Sequence, residues 1–186
     1  LNPMQLGVMA ACIAAGRKVR PRLIAGEGPR VENFSYAADH FATVRRGMWE
    51  VVNGHGTAGA SRLPLDGVEM CGKTGTAQVR RITAGQRGQS GAWRYRDHGL
   101  FVFFGPFDRP RYAGAVVIEH GLGGARAAAP VAKDVLTYLF DKDKAMLALL
   151  QLEQQWGGNI AQRMERRAQA WAARGGQPAT PPTENI

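Results

Sequence analysis

The sequence predicts an α/β fold of the α+β kind, in which helices sandwich an antiparallel sheet. Two continuous apolar runs, 100–104 and 113–118, are separated by Asp108-Arg109-Pro110, which is typical of a tight connection between neighbouring strands. Apolar residues recur at helical spacing over 39–53. Strands that are apolar throughout need cover on both faces, and helices before and after them in the chain can supply it.

The chain opens with a predicted helix over 3–15. Asn2 can cap its start, Pro3 suits its first turn and Gly16 can end it. Residues 17–25 are expected to be extended, and the proline within them favours an edge strand or a loop.

A second helix is predicted over 39–53, followed by a turn. Its apolar side chains recur every three or four residues: Phe41, Val44, Met48, Val51 and Val52. The segment 54–59 is rich in glycine but lacks the spacing of a phosphate-binding loop, so a plain turn is expected there.

The middle of the chain is predicted to contain the strands. A first strand is placed within 68–81, and the polar, glycine-rich segment 82–97 is expected to form a mobile loop. The two apolar runs then form an antiparallel hairpin, and 127–140 is predicted to be a helix that packs on the sheet.

The C-terminal part is predicted to be organised differently. An apolar-rich helix at 143–156 ends at two glycines, a basic helix follows at 159–173, and the proline-containing tail 175–186 is expected to be disordered. These features divide the chain into a domain at 1–142, a helical extension at 143–174 and the tail. The extension is interpreted either as a plain terminal addition or as a docking segment for a partner.

Lys73-Thr74-Gly75-Thr76 is the most informative motif. On a strand, Lys73 and Gly75 face one way and Thr74 and Thr76 the other. Glycine lets a ligand approach the backbone, and an exposed strand edge offers N–H and C=O groups to an extended peptide. Such a strand can hold a peptide-like substrate and place an N–H donor beside a carbonyl oxygen. Taken alone, a Lys-Thr-Gly is also compatible with an ordinary turn.

The longer segment Gly72–Gln78 resembles the corresponding strand of class B penicillin-binding proteins, the monofunctional peptidoglycan transpeptidases. The order of similar segments is most like the elongation-specific branch, penicillin-binding protein 2, and covers roughly 1–142. The other similar segments are Leu1–Leu6, Ala10–Gly16, Arg45–Asn53, Gly56–Ala58, Asp97–Phe101, Gly105–Pro106, Pro110–Ala113 and Ala128–Ala132.

The chain departs from the family pattern in its serines. Neither a Ser-x-x-Lys nor a Ser-x-Asn occurs around Ser35, Ser61 or Ser90. In the family both motifs precede the Lys-Thr-Gly. We therefore expect this chain to be the C-terminal part of a transpeptidase domain, and to be inactive in acyl transfer without its N-terminal part, because it has no activated nucleophile.

The resemblance implies a role for each residue of the motif. A serine elsewhere would attack the carbonyl of a stem-peptide D-Ala-D-Ala and form an acyl-enzyme. Lys73 would hold positive potential near that serine, and the backbone N–H of Thr76 would supply an oxyanion-hole donor, which makes Lys73 and Thr76 the catalytic residues. Thr74 and Thr76 would bind the substrate carboxylate, and Gly75 would leave room for the ligand.

The resemblance also implies the surroundings of the site. It implies no cofactor and no metal. The expected partners are the peptidoglycan stem peptide, β-lactam antibiotics and the cell-elongation machinery, including a glycosyltransferase. The expected location is the bacterial inner membrane with the catalytic domain in the periplasm, held by an anchor outside this sequence. No run of 18 apolar residues occurs here.

The net charge of +9 is spread over several basic stretches, with no recognised nucleic-acid motif. Solvated surfaces account for most of it, and no nucleic-acid partner is expected. A sharper hypothesis is that Arg80, Arg81 and Arg87 meet anionic lipid headgroups or a substrate pyrophosphate. Cys12 and Cys71 are interpreted as two small buried residues in preference to a disulfide.

Several interpretations of individual features and of the whole chain stay open at the sequence level. His98 is expected to be structural, while Trp93 and Tyr95 could line a glycan groove or cap a loop. The chain is either part of a catalytic transpeptidase or a non-catalytic binding or scaffold module of the same fold. A β-lactamase is a weaker third option.

Overall fold

The computed structural model describes residues 2–22, 24, 26, 28, 31–35, 38–80 and 92–176. The chain divides into two compact units, Leu1–Phe140 and Asp141–Ile186. Much of the predicted loop at 82–97 lies outside the described residues, as does the predicted tail from 177 onward.

The described residues of the first unit form three α-helices and five strands. The helices are α1 (Pro3–Ala15), α2 (Ala38–Asn53) and α3 (Ala129–Phe140), and the strands are β1 (Lys18–Val19), β2 (Val31–Glu32), β3 (Cys71–Ala77), β4 (His98–Gly105) and β5 (Tyr112–Ile118). The main sheet is antiparallel in the order β3-β4-β5, and β1 pairs with β2 separately. The predicted hairpin is confirmed, because Phe101 pairs with Val116 and Phe104 with Ala113.

The helix ends follow local signals. Asn2 accepts the Gln5 backbone N–H at 2.9 Å, and the Gln5 side chain accepts the Asn2 backbone N–H at 3.0 Å, which completes a capping box for α1. Gly16 ends α1 with φ of 64°, a left-handed conformation that glycine adopts without strain. The helices predicted at 3–15 and 39–53 are confirmed as α1 and α2. Helix α3 begins after a π-helical turn at Gly124–Ala128.

Alternation along β4 sends its side chains into two separate cores. Phe101 and Phe103 face Leu136 and the alanines of α3. Val102 and Phe104 face the other way, towards Ala10 of α1 and its neighbours. Helices therefore cover both faces of the sheet, as the apolar runs predict.

Among the described residues of the segment expected to be extended, 17–25, Lys18 and Val19 form a short strand. It pairs with Val31 and Glu32, a pairing that the sequence did not predict. The first core strand lies within the predicted 68–81, since β3 spans Cys71–Ala77.

The second unit contains α4 (Lys142–Gln155) and α5 (Ile160–Ala173). Asp141 caps α4 by accepting the Lys144 backbone N–H at 2.9 Å. None of the described residues of this unit, 141–176, is buried. Its helices therefore expose apolar side chains that have no core to enter.

Candidate active site

The Lys-Thr-Gly-Thr motif lies in the second half of β3, where the strand emerges from the core. Cys71 and Gly72 are buried, whereas Lys73 and Thr76 are exposed. One edge of β3 pairs with β4, and no described strand pairs with its other edge. The motif therefore presents side chains and backbone on an exposed sheet edge.

Gly72 sets the position of the motif on the sheet. A Cβ at Gly72 would lie 2.2 Å from Cζ of Phe101, so the aromatic ring fills the space that a side chain would need. Cys71, one residue earlier, points into the opposite core with Phe104. Together these two residues anchor the strand just before Lys73.

The side chains of the motif make local hydrogen bonds. The hydroxyls of Thr74 and Thr57 are 3.0 Å apart and share a hydrogen bond. Nζ of Lys73 donates to the backbone carbonyl of Thr74 at 2.9 Å. Thr57 belongs to the glycine-rich segment that the sequence predicts to be a plain turn. Thr57 was not predicted to be a site residue. The only signal for it in the sequence is that it lies within Gly56–Ala58, a segment similar to the family.

The loop that follows β5 packs against Gly75. A Cβ at Gly124 would lie 2.0 Å from the carbonyl oxygen of Leu100 and 2.8 Å from that of Gly75. Gly124 is therefore the second residue of this region that sequence analysis missed. Its lack of a side chain lets the loop approach the backbone of the motif closely.

His98 holds the same loop through a hydrogen bond to His120. The backbone N–H of His120 donates to Nδ1 of His98 at 3.0 Å. The ring of His120 lies against Trp93, with centroids 4.2 Å apart. His98 pairs with Ala77 across the strands. These contacts fit the predicted structural role of His98.

Two arginines stack on Tyr95 near the end of β3. The guanidinium carbons of Arg80 and Arg94 lie 5.4 Å and 4.7 Å from the Tyr95 ring centroid. Arg81 and Arg87, which belong to the same predicted basic group, lie outside the described residues. Cation–π contacts therefore account for part of this basic stretch.

Both cysteines are free thiols. Cys71 is fully buried, and burial raises its pKa to about 12, although the positive charge of Arg45 opposes this rise. The thiol of Cys12 is hydrogen-bonded to Val19, whose backbone N lies 3.3 Å from the sulfur. The predicted burial is confirmed for Cys71, whereas Cys12 is only half-buried.

A cavity of about 630 Å³ lies elsewhere in the first unit. It opens between residues 62–69 and the turn at 106–108, and its lining includes Trp49 but no residue of the motif. Among the described residues, no group of three or more His, Cys, Asp or Glu is arranged to hold a metal ion. The candidate site is thus the strand edge and not this cavity.

Within the described part of the chain, every helix is too short or too polar to cross a bilayer.

The chain is similar to proteins of one family over most of the first unit. The family profile described as the penicillin binding protein transpeptidase domain matches residues 1–137. The peptidoglycan D,D-transpeptidase MrdA of Acinetobacter baumannii is 42% identical over 108 residues, which are 57% of this chain and 16% of that protein. MrdA of Haemophilus influenzae is 30% identical over 100 residues, which are 53% of this chain and 15% of that protein.

The chain is also similar to solved structures of penicillin-binding proteins. A complex of penicillin-binding protein PBP2 with MreC from Helicobacter pylori aligns with a TM-score of 0.63 and 25% identity over 76% of this chain and 25% of that one. PBP2 of Pseudomonas aeruginosa in complex with WCK 5153 aligns with a TM-score of 0.54 and 31% identity, covering 74% of this chain and 29% of that one. The chain therefore spans less than a third of the length of these relatives.

Proposed function

Because the chain belongs to the penicillin-binding protein transpeptidase domain family, we propose that it supplies the Lys-Thr-Gly-Thr strand of a peptidoglycan D,D-transpeptidase active in cell-wall elongation. The observation that carries the proposal is the placement of Lys73 to Thr76 on an exposed edge of the sheet, directly after a buried anchor at Gly72. Similarity to MrdA and PBP2 proteins supports the elongation branch.

The strand contributes binding and electrostatic stabilisation. Lys73 supplies a positive charge beside the acylated serine, and the backbone N–H of Thr76 donates to the oxyanion, an interaction worth about 3 kcal/mol in such sites. Thr74 and Thr76 bind the terminal carboxylate of the substrate or of a β-lactam. Thr57 holds the Thr74 hydroxyl in place through their 3.0 Å hydrogen bond.

The nucleophile comes from a Ser-x-x-Lys that this sequence does not contain. The serine forms an ester with the acyl group of the stem peptide and D-alanine leaves, after which an amine of a neighbouring peptide takes the acyl group. β-Lactams acylate the same serine. The strand therefore binds the substrate and stabilises the developing charge, whereas the serine carries out the acyl transfer.

The partners and location follow from the same proposal. The stem peptide and β-lactams bind at the strand edge, and the parent protein works at the inner membrane with this domain in the periplasm. The elongation machinery, including a glycosyltransferase, is its proposed assembly. A PBP2 of Helicobacter pylori has been solved in complex with MreC, which supports an assembly of this kind.

A chimaera tests the function. Residues 1–137 replace the matching segment of the Acinetobacter baumannii relative, and the purified chimaera is incubated with fluorescent penicillin and resolved on a denaturing gel. We expect a labelled chimaera, a loss of labelling of about 100-fold or more for Lys73→Ala, and a smaller loss for Thr74→Val. Arg109→Ala, on the exposed turn between β4 and β5, is the matched control and should label normally.

Two outcomes would contradict the proposal. One is a chimaera that melts cooperatively but takes up no label, which would favour the non-catalytic scaffold module. The other is full labelling of the Lys73→Ala chimaera, because the strand would then make no contribution to acylation.

A further inference from the structure

The second unit has no role in the proposed transpeptidase function. Helix α5 begins with a capping box in which Asn159 and Gln162 exchange backbone-to-side-chain hydrogen bonds, both 3.0 Å long. The helix is therefore defined by local signals, although it buries no side chain.

One face of α5 is apolar and exposed. Ile160, Met164 and Trp171 follow one another at intervals of four and seven residues, which places them in one stripe along the helix. Their exposed fractions are 69%, 59% and 52%. A stripe of three large apolar side chains has a free-energy cost in water that a covering surface would remove.

Basic residues flank that stripe on one side. Arg163, Arg167 and Arg174 lie three, seven and fourteen residues after Ile160, so they form a row beside the apolar stripe. The helix and its cap hold four arginines and a single acidic residue, Glu165. A second copy of this face would bring like charges together, so self-association is disfavoured.

Two arginines in the first half of the helix contact the residues that precede it, one of them through a tryptophan ring. The guanidinium carbon of Arg163 lies 5.0 Å from the Trp156 ring centroid, and Arg166 donates to the carbonyl of Gly157. Trp156 is 51% exposed. Tryptophan side chains with arginines beside them are typical of the boundary between lipid headgroups and acyl chains.

From these observations we propose that α5 lies in the surface of an anionic phospholipid bilayer. The stripe of Ile160, Met164 and Trp171 enters the acyl boundary, while Arg167 and Arg174 extend to the headgroup phosphates. Charge complementarity favours an anionic lipid surface as the partner of α5, because each basic side chain near such a surface adds to the affinity. The interaction is independent of the Lys-Thr-Gly-Thr strand.

Vesicle binding by the whole 186-residue chain tests this. The chain is mixed with vesicles of phosphatidylcholine, or of phosphatidylcholine with 30% phosphatidylglycerol, and bound protein is measured by sedimentation. We expect binding to the anionic vesicles, at least tenfold weaker binding to the neutral ones, and a loss of binding as salt rises. Bromine-labelled acyl chains should quench the tryptophan fluorescence of the wild type more strongly than that of Trp171→Phe.

Matched variants separate the contribution of the apolar stripe from that of the basic side chains. Ile160→Gln with Met164→Gln should lower anionic-vesicle binding about tenfold. Its control is Met4→Gln with Ile24→Gln, whose side chains are similarly exposed in the first unit, at 57% and 68%.

The charge variant has its own control. Arg167→Gln with Arg174→Gln should lower anionic-vesicle binding about tenfold and leave neutral-vesicle binding unchanged. Arg17→Gln with Arg109→Gln removes the same charge from exposed positions of the first unit and should have little effect.

Three results would overturn the proposal. These are equal binding to neutral and anionic vesicles, an equal loss in the control pairs, and absence of vesicle binding. If absence of vesicle binding is accompanied by oligomers that the Ile160→Gln, Met164→Gln variant loses, the stripe is a protein interface instead.

Discussion

Leu136 in the first unit and Leu147 in the second occupy helices of similar length but opposite environments. Leu136 on α3 is 0% exposed and packs in the core with Phe101, whereas Leu147 on α4 is 63% exposed. The first unit buries a continuous set of apolar side chains on each face of its sheet. The second unit has no buried residue among those described.

Local signals do not explain this difference. Both α1 and α5 begin with an asparagine that forms a capping box with a glutamine three residues later. Ala10 and Ala14 of α1 allow close approach to the sheet, and a helix gains most of its stability from such packing. A cap therefore defines where a helix begins, while packing against the sheet determines how much of the helix is buried.

The largest expected difference comes from one substitution made in both units. Leu136→Ala leaves a cavity in a sealed core and should lower the free energy of unfolding by about 3 kcal/mol. Leu147→Ala removes an exposed side chain and should change it by less than about 0.5 kcal/mol. Urea unfolding monitored by tryptophan fluorescence measures both. Equal losses would show that the second unit has a core of its own.

A second pair of variants tests the close approach beside the motif. Gly124→Ala places a methyl group 2.0 Å from the Leu100 carbonyl oxygen, so the backbone must shift, and we expect a loss of about 2 kcal/mol. Gly123→Ala has no atom within 4 Å of its new methyl group and an extended backbone with φ of −165°. It is the matched control and should be nearly neutral. If the two variants unfold at the same urea concentration, the contact between this loop and Gly75 is not a constraint.

Much of the fold could be predicted because its signals are local. The unbroken apolar runs predicted the hairpin of β4 and β5, and Asn2 with Gly16 predicted both ends of α1. The Lys-Thr-Gly-Thr motif could be found for the same reason, since its four residues are consecutive. Its residue roles remain predictions.

The contacts that shape the site depend on residues distant in sequence. The hydrogen bond between Thr57 and Thr74 joins positions 17 apart, and that between His98 and His120 joins positions 22 apart. Gly124 has a special role only because its loop returns to Gly75. No spacing rule within a single sequence identifies such pairs.

The buried thiol of Cys71 makes the stability of the first unit depend on pH. Its pKa is raised from 9.0 to about 12 in the folded protein, so folding keeps its proton on while the unfolded chain loses it. This contribution to stability is fully present below pH 9 and is lost as the pH rises towards 12. Between pH 8 and pH 10 the loss should be about 1 kcal/mol.

Urea unfolding of the wild type and of Cys71→Ala at both pH values isolates this contribution. Other groups also titrate, but their effect is common to both proteins. The variant should have a lower stability at pH 8 and a smaller decrease between pH 8 and pH 10. A parallel decrease in the two proteins would mean that the thiol ionises equally in the folded and unfolded states.

The smallest expected effect compares the two capping boxes. Asn2→Ala and Asn159→Ala each remove a side chain that accepts a backbone N–H, at 2.9 Å and 3.0 Å respectively, and each should cost its helix about 0.5–1 kcal/mol. Because α1 packs in the core, the loss at Asn2 should lower the urea midpoint of the first unit. The loss at Asn159 should appear only as reduced helical circular dichroism, since α5 stabilises no core. Asn2→Asp and Asn159→Asp keep an acceptor and should behave like the wild type. A shift of the main unfolding transition by Asn159→Ala would show that the two units unfold together. The units would then differ in how much apolar surface they expose but not in their stability.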